Sequence, residues 1–106
     1  MVNKIIGIIG LGYVGLPLAV EFGKIRPVIG YDTNMYRIRD LQNKIDNTNE
    51  CSSRELNSAS NLCLTSKLDD LRQAQIYIVT VPTPVDDVNH PDFGPLIKAT
   101  KATASI

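Results

Sequence analysis

The sequence predicts an α/β fold in which a doubly wound parallel sheet carries helices on both faces, within one domain of 106 residues. Two observations predict it. Short apolar runs rich in β-branched residues alternate along the chain with longer stretches of helical periodicity. Three spaced glycines also stand between the first such run and the first helical stretch, where they would weaken either element unless a turn needed them.

The elements are predicted in the order β-α-β-α-α-β-α-β-α, so that the sheet is truncated after about four strands. The predicted strands are 4–9, 27–31, 62–65 and 76–81. The predicted helices are 13–22, 34–43, 54–59, 67–73 and a last helix from Phe93 onward, with Thr33 as the N-cap of the second. If the first strand is central, the strand order is 3-2-1-4 and the fourth strand lies at an edge that could pair with another chain.

Composition and charge argue against several classes of function. Eleven basic residues balance 11 acidic ones, which gives no electrostatic reason to expect nucleic acid or an anionic membrane as a partner. The longest apolar run contains glycines and a proline and is shorter than the ~20 residues of a membrane helix. Cys51 and Cys63, without a signal-peptide pattern, fit a cytoplasmic location and match no zinc spacing, so no metal site is predicted. Cys63 is expected in the core and Cys51 in a loop, as an incidental thiol.

Gly10, Gly12 and Gly15 form a G-x-G-x-x-G pattern between a predicted strand and a predicted helix. This arrangement is the dinucleotide-binding fingerprint of Rossmann-type folds. Gly10 would allow a tight turn, Gly12 would let the backbone touch a pyrophosphate, and Gly15 would let the helix lie close on the sheet. Free N–H groups and the helix dipole would then face the anion. A plain tight turn is the alternative, but the flanking strand and helix favour the fingerprint.

Asp32 ends the second predicted strand, 22 residues after Gly10. Its carboxylate can accept hydrogen bonds from the adenosine ribose hydroxyls and would repel a 2′-phosphate, so the predicted cofactor is NAD rather than NADP. Arg37 is predicted to reach the ribose or adenine, with a solvated helix arginine as the alternative. Thr83 follows the fourth strand between two prolines, where it could bind a cofactor phosphate or ribose or only shape the turn.

Several stretches together resemble the NAD-binding domain of UDP-glucose/GDP-mannose dehydrogenases: GLGYVGLPLAVEFG, the Asp32-to-Arg37 spacing, Thr65-Ser66, VTVPTPV and PDFGPLIKAT. The resemblance covers nearly the whole chain and is greatest to the bacterial branch, of the Vi-polysaccharide type, that oxidises UDP-N-acetylhexosamines. One departure is Lys44, where many relatives carry glycine. Nucleotide-sensing domains of potassium channels and 6-phosphogluconate or hydroxyisobutyrate dehydrogenases share the glycine pattern, but VPTP argues against both.

The resemblance implies that residues 1–106 are the NAD-binding domain of a longer, homo-oligomeric enzyme. Such enzymes use NAD to oxidise the C6 hydroxyl of a UDP-sugar to a carboxylate for surface polysaccharide synthesis. Asp32 and Arg37 would hold the adenosine ribose, Thr83 would touch the cofactor, and the pyrophosphate and nicotinamide side would be lined by Gly10, Leu11, Gly12, Tyr13, Val14 and Gly15. The family's catalytic thiol and lysine match no residue here, so no catalytic residue is predicted and the chain alone is expected to be inactive.

Overall fold

The computed structural model describes residues 4–80 and 94–104. The strands are β1 (Ile6–Ile9), β2 (Val28–Tyr31), β3 (Leu62–Thr65) and β4 (Ile76–Val79). The α-helices are α1 (Gly15–Gly23), α2 (Met35–Gln42), α3 (Ser53–Ser58) and α4 (Gly94–Ala104), and a 3-10 helix spans Leu68–Gln73. The elements occur in the predicted order. Where their ends lie within residues 4–80 and 94–104, they differ from the predicted ends by at most two residues.

The strands form one parallel sheet with the order β3-β2-β1-β4, which confirms the predicted topology. Ile6 lies opposite Val28 on one side and Ile76 on the other, and Val28 lies opposite Leu62. This register brings the carboxyl ends of all four strands to the same edge of the sheet. In open parallel sheets, ligands bind in the crevice outside that edge.

Two apolar clusters cover the two faces of the sheet, which makes the fold doubly wound. The larger cluster joins β1 and β2 to α1, α2 and α3, and Ile8, Leu16 and Leu41 are completely buried in it. The smaller cluster joins Ile9, Ile29 and Tyr31 to Leu71 of the 3-10 helix. Because both faces are covered, every residue of β1 and β2 is buried, as expected for the central strands of a parallel sheet.

Helix α2 begins one residue later than the sequence predicted. Asn34 is its N-cap, and the Asn34 side chain accepts hydrogen bonds from the backbone N–H groups of Tyr36 (3.0 Å) and Arg37 (3.2 Å). The prediction of Thr33 is therefore wrong. The physical reason is that Asn34 is still extended, with φ −82° and ψ 104°, and carries a side-chain amide oxygen of the right reach.

The two cysteines are placed opposite to expectation. Cys63 is exposed, so the predicted core position is wrong. Its neighbours Leu62 and Leu64 pack on the larger cluster, and Cys63 therefore points to the other face of the edge strand β3. Cys51 is only 6% exposed and is a member of the larger cluster rather than an incidental loop thiol.

Candidate dinucleotide-binding site

The segment between β1 and α1 is called here the glycine-rich loop (Gly10–Gly15). Gly10 has a φ of 98°, a conformation that L side chains rarely adopt, and its N–H donates to the Tyr31 carbonyl at 2.8 Å. A Cβ on Gly15 would overlap the Gly10 carbonyl oxygen and the Thr80 hydroxyl. Gly10 therefore makes the tight turn and Gly15 allows the close approach of helix and strand, as the sequence predicted.

Gly12 differs from these two glycines because its surroundings are open. A Cβ added there would meet no atom within 4 Å. Next to this space, the described residues supply no hydrogen-bond acceptor for the backbone N–H groups of Gly12, Tyr13 and Val14. Val14 has no side-chain cap, and the first turn of α1 contains no acidic residue. The loop thus presents unpaired donors and the positive end of a helix dipole, which favour an anion.

Asp32 directly follows β2, and its carboxylate is fixed by the backbone. One oxygen, Oδ2, accepts from the Leu11 N–H at 2.9 Å, and Oδ1 accepts from the Asn34 N–H at 2.9 Å. Each carboxylate oxygen has capacity for a further hydrogen bond. Asp32 therefore joins the glycine-rich loop to the start of α2 and can still accept from a ligand.

Arg37 is not the solvated helix arginine that the sequence left as the alternative, since its side chain is only 11% exposed. Its Nε and Nη2 atoms donate to the Leu11 carbonyl at 3.0 and 2.7 Å. Its Nη1 atom donates to Asp46 Oδ1 at 2.6 Å, as one half of an ion pair. The predicted contact of Arg37 with a ribose or adenine stays a prediction.

Leu11 was predicted to line the cofactor, but its side chain is fully buried in the larger cluster. Its N–H group is bound by Asp32 and its carbonyl by Arg37. Leu11 therefore holds the backbone of the glycine-rich loop through its N–H and carbonyl groups, and its predicted contact with the cofactor stays a prediction. Tyr13 and Val14 are by contrast 70% and 67% exposed, at the rim of the open space.

Asp46 is a site residue that sequence reasoning missed. Its side chain is completely buried, and besides Arg37 it accepts from the Thr48 N–H and hydroxyl and from the N–H groups of Glu50 and Cys51, all at 2.7–2.9 Å. Burial alone would raise the pKa of Asp46. The hydrogen bonds from Thr48, Arg37 and Cys51 outweigh that effect and hold the pKa well below its usual range.

The segment around this carboxylate is called the Asp46 loop (Lys44–Cys51). Lys44 and Asn49 in it have φ values of 65° and 57°, in the left-handed region. The loop has this shape because its N–H groups converge on one buried acceptor. An aspartate two residues before a threonine is typical of a local Asx turn, but that signal does not identify Arg37 as a partner.

A cleft of about 490 Å³ opens beside Asp32, at the carboxyl ends of β1 and β2. Its opposite wall is formed by the 3-10 helix and by α4, which the sequence analysis did not connect with a site. The cleft is lined by Ile9, Gly10, Tyr31, Asp32, Thr33, Leu68, Lys98, Ala99, Ala102 and Thr103.

The remaining predictions concern Thr83, metal ions and membrane-spanning helices. Thr83 lies outside the described residues. In residues 4–80 and 94–104 no group of three His, Cys, Asp or Glu side chains is placed to hold a metal ion. No helix within those ranges has the length and apolarity to cross a membrane.

Comparison with known proteins agrees with the geometry. Residues 4–106 match the NAD binding domain of the UDP-glucose/GDP-mannose dehydrogenase family. Over 101 residues, or 95% of the chain, it is 50% identical to UDP-N-acetyl-D-glucosamine 6-dehydrogenase from Pseudomonas aeruginosa and 48% identical to that from Salmonella typhi. The chain spans only 24% of the length of each of these relatives.

A solved structure of UDP-D-ManNAc dehydrogenase from Pyrococcus horikoshii superposes with a TM-score of 0.89 at 29% identity. The superposition covers 97% of this chain and 26% of that one. These matches do not favour the potassium-channel domain or the 6-phosphogluconate and hydroxyisobutyrate dehydrogenases as alternatives. The chain belongs to the UDP-glucose/GDP-mannose dehydrogenase family, and its residues 4–106 correspond to the NAD binding domain of that family.

Proposed function

We propose that this chain is the part of a nucleotide-sugar 6-dehydrogenase that binds NAD. The observation that carries the proposal is that the N–H groups of Gly12, Tyr13 and Val14 have no acceptor among the described residues. They lie at the start of α1, next to the open space at Gly12. These donors would hold the pyrophosphate, and Asp32 would accept from the adenosine ribose. The cleft between Asp32 and α4 has apolar walls at Ile9, Leu68 and Ala99 that suit an adenine ring.

When bound, NAD would accept a hydride from C6 of the sugar. The role of this chain's residues is to bind and orient: the glycine-rich loop fixes the phosphates, and the cleft beside Asp32 fixes the adenosine. We further propose a UDP-N-acetylhexosamine as substrate, oxidised to a uronate for surface polysaccharide, by a cytoplasmic homo-oligomer. This part of the proposal rests on the relatives named above, of which the chain spans about a quarter.

Cofactor choice tests the site. Both oxygens of Asp32 are bound by backbone N–H groups, so the carboxylate cannot turn away from a 2′-phosphate. We expect NAD(H) to bind at least about tenfold more tightly than NADP(H). Fluorescence or calorimetric titration of the wild type, of Asp32→Asn and of the exposed control Asp69→Asn measures this. Asp32→Asn should reduce the preference for NAD(H) over NADP(H), and Asp69→Asn should leave it unchanged. Equal affinities of the wild type for NAD(H) and NADP(H) would refute the assignment of Asp32.

The substrate class needs a separate assay, because the chain alone is expected to give no turnover. The protein encoded by the whole gene that contains this chain should be assayed for NADH formation with UDP-GlcNAc, UDP-GalNAc, UDP-glucose and GDP-mannose. We expect the UDP-N-acetylhexosamines to be oxidised fastest. A protein that oxidises only GDP-mannose would contradict the proposed substrate class while leaving the NAD site intact.

A further inference from the structure

The peptide unit between Leu11 and Gly12 is held from one side by Arg37. Two N–H groups of the guanidinium, on Nε and Nη2, chelate the Leu11 carbonyl oxygen. A trans peptide is planar, and its C=O and N–H point in opposite directions. Fixing the Leu11 oxygen against Arg37 therefore aims the Gly12 N–H away from Arg37. That N–H is one of the donors without an acceptor among the described residues.

The position of the Arg37 side chain depends on its other hydrogen-bond partners. It lies in the first turn of α2, where the helix dipole presents its positive end and disfavours a cation. An arginine free of partners would extend into water, where its charge is best solvated. Instead its Nη1 is bound to Asp46 at 2.6 Å, and Nη2 also lies 3.5 Å from the Thr48 hydroxyl. The buried carboxylate thus supplies the negative charge that keeps Arg37 over the Leu11 carbonyl.

The Asp46 carboxylate is itself held in place, because the Asp46 loop surrounds it with four donors besides Arg37. The Asp46 loop and the glycine-rich loop are thereby coupled through one guanidinium. Four of the five N–H groups of Arg37 point at protein atoms, if the long contact to Thr48 is included. Most of the hydrogen-bonding capacity of Arg37 is therefore used to organise the protein.

We propose that Asp46 is a positioning residue for pyrophosphate binding. It holds Arg37 on the Leu11 carbonyl, and Arg37 thereby orients the Gly12 N–H toward the phosphate. The inference rests on the proposed NAD site but goes beyond it, since Asp46 would touch no part of the cofactor. It also separates the role of Arg37 in the loop from the predicted contact of Arg37 with the ribose.

The test compares a ligand with phosphates, ADP, and one without, adenosine, by following backbone amide shifts in an NMR titration. Asp46→Asn should weaken ADP binding about tenfold, the effect of losing a charge-assisted hydrogen bond, and adenosine binding less than about twofold. Ser53→Ala is the matched control. It removes the bond from the Ser53 hydroxyl to the Lys44 carbonyl (2.8 Å), which also holds the Asp46 loop but does not involve Arg37. ADP affinity should be unchanged in this control.

A double-mutant cycle shows whether Asp46 acts through Arg37. Arg37→Met alone should weaken ADP binding at least as much as Asp46→Asn, and the double variant should be no weaker than Arg37→Met. If Asp46 acted independently of Arg37, the two losses of ADP affinity would multiply. Hydrogen exchange gives a second readout without ligand: the Leu11 amide should exchange faster in Asp46→Asn, while the Gly10 amide, bound to Tyr31, should not change.

Arg37→Lys covers the case in which Asp46→Asn does not fold. Lysine keeps the charge that Asp46 needs but cannot chelate the Leu11 oxygen with two N–H groups in a fixed fork. We expect Arg37→Lys to fold and to lose ADP affinity several-fold with adenosine affinity preserved. Equal losses for ADP and adenosine would place the effect at the ribose and overturn the proposal, as would multiplying losses in the cycle. A wild type that binds neither ADP nor NAD would instead refute the proposed function.

Discussion

Arg37 is hydrogen-bonded to both the glycine-rich loop and the Asp46 loop, yet the two loops use their backbone donors in opposite ways. The glycine-rich loop leaves the N–H groups of Gly12, Tyr13 and Val14 without a described acceptor. The Asp46 loop directs its N–H groups at Thr48, Glu50 and Cys51 onto one buried carboxylate. Unpaired donors are costly unless water or a ligand reaches them. The comparison therefore distinguishes a loop whose N–H groups are open to a ligand from a loop whose N–H groups are used within the protein.

The two loops also obtain unusual backbone conformations differently. In the glycine-rich loop, glycine supplies a φ of 98° at Gly10 and removes a side chain at Gly15. In the Asp46 loop, Lys44 and Asn49 adopt left-handed conformations without being glycine. The buried carboxylate and its hydrogen bonds offset that cost. Three sets of substitutions test these contrasts.

Gly15→Ala is expected to have the largest effect. Its Cβ would overlap the backbone carbonyl of Gly10 and the Thr80 hydroxyl, and the first of these cannot move without disrupting the turn. We expect a loss of at least about 3 kcal/mol in the free energy of unfolding, or failure to fold. Urea denaturation followed by circular dichroism measures it.

Gly12→Ala is the counterpart in the same loop. Its Cβ would enter open space, so the free energy of unfolding should change by no more than about 0.5 kcal/mol while the affinity for NAD falls. Similar stability losses at Gly12 and Gly15 would contradict the division of roles within the glycine-rich loop.

Asp46→Asn tests the Asp46 loop through the pH dependence of the free energy of unfolding. The folded-state pKa of Asp46 is depressed, so its ionised form stabilises the fold above the unfolded pKa of about 3.9. This contribution, on the order of a few kcal/mol, is lost progressively as the pH falls below about 4. The stability difference between wild type and Asp46→Asn should therefore shrink between pH 7 and pH 2, as measured by urea denaturation at each pH.

Asp69→Asn serves as the control for this series, because the Asp69 side chain is 85% exposed. Its difference from the wild type should stay small and nearly constant over the same range. A difference for Asp46→Asn that does not depend on pH would show that the charge of Asp46 does not stabilise the Asp46 loop.

Lys44→Gly is expected to have the smallest effect and the opposite sign. Glycine would relieve the left-handed conformation of Lys44 but would lose more entropy on folding. The net gain should be about 0.5 kcal/mol in the free energy of unfolding. Asn49→Gly is the matched change, and it should gain less because asparagine tolerates φ near 57° better than lysine does. Thermal denaturation ranks the two variants, and a destabilised Lys44→Gly would contradict the account.

Much of the fold was predictable because it is encoded locally. Each strand is a short apolar run, and the glycines at fixed offsets between a strand and a helix predicted both the turn at Gly10 and the close approach at Gly15. The strand order followed from general rules for parallel sheets. Local patterns failed where burial depends on which elements pack nearby. Cys63 is an apolar residue within a strand, but it lies on the face of the edge strand β3 that points away from the larger cluster, and it is exposed.

The site was predicted only in part, for the same reason. Asp32 could be placed because it directly follows a strand whose end faces the crevice. The pairing of Arg37 with Asp46 depends on how the chain turns after α2, which no short pattern encodes. The wall of the cleft at Lys98 and Ala99 depends on where the last helix returns to the sheet. Such contacts follow from the tertiary arrangement and become visible only with it.

The unequal burial of the two cysteines provides a chemical probe of the Asp46 loop. Burial, followed by the charges of Glu55, Asp46 and Glu50, raises the pKa of Cys51 to about 11, whereas Cys63 is exposed on β3. A shift of this size lowers the thiolate fraction about a hundredfold, and burial blocks access as well. A maleimide added at neutral pH will modify Cys63 first. The slower modification of Cys51 then measures how often the Asp46 loop opens, in a protein that carries no substitution.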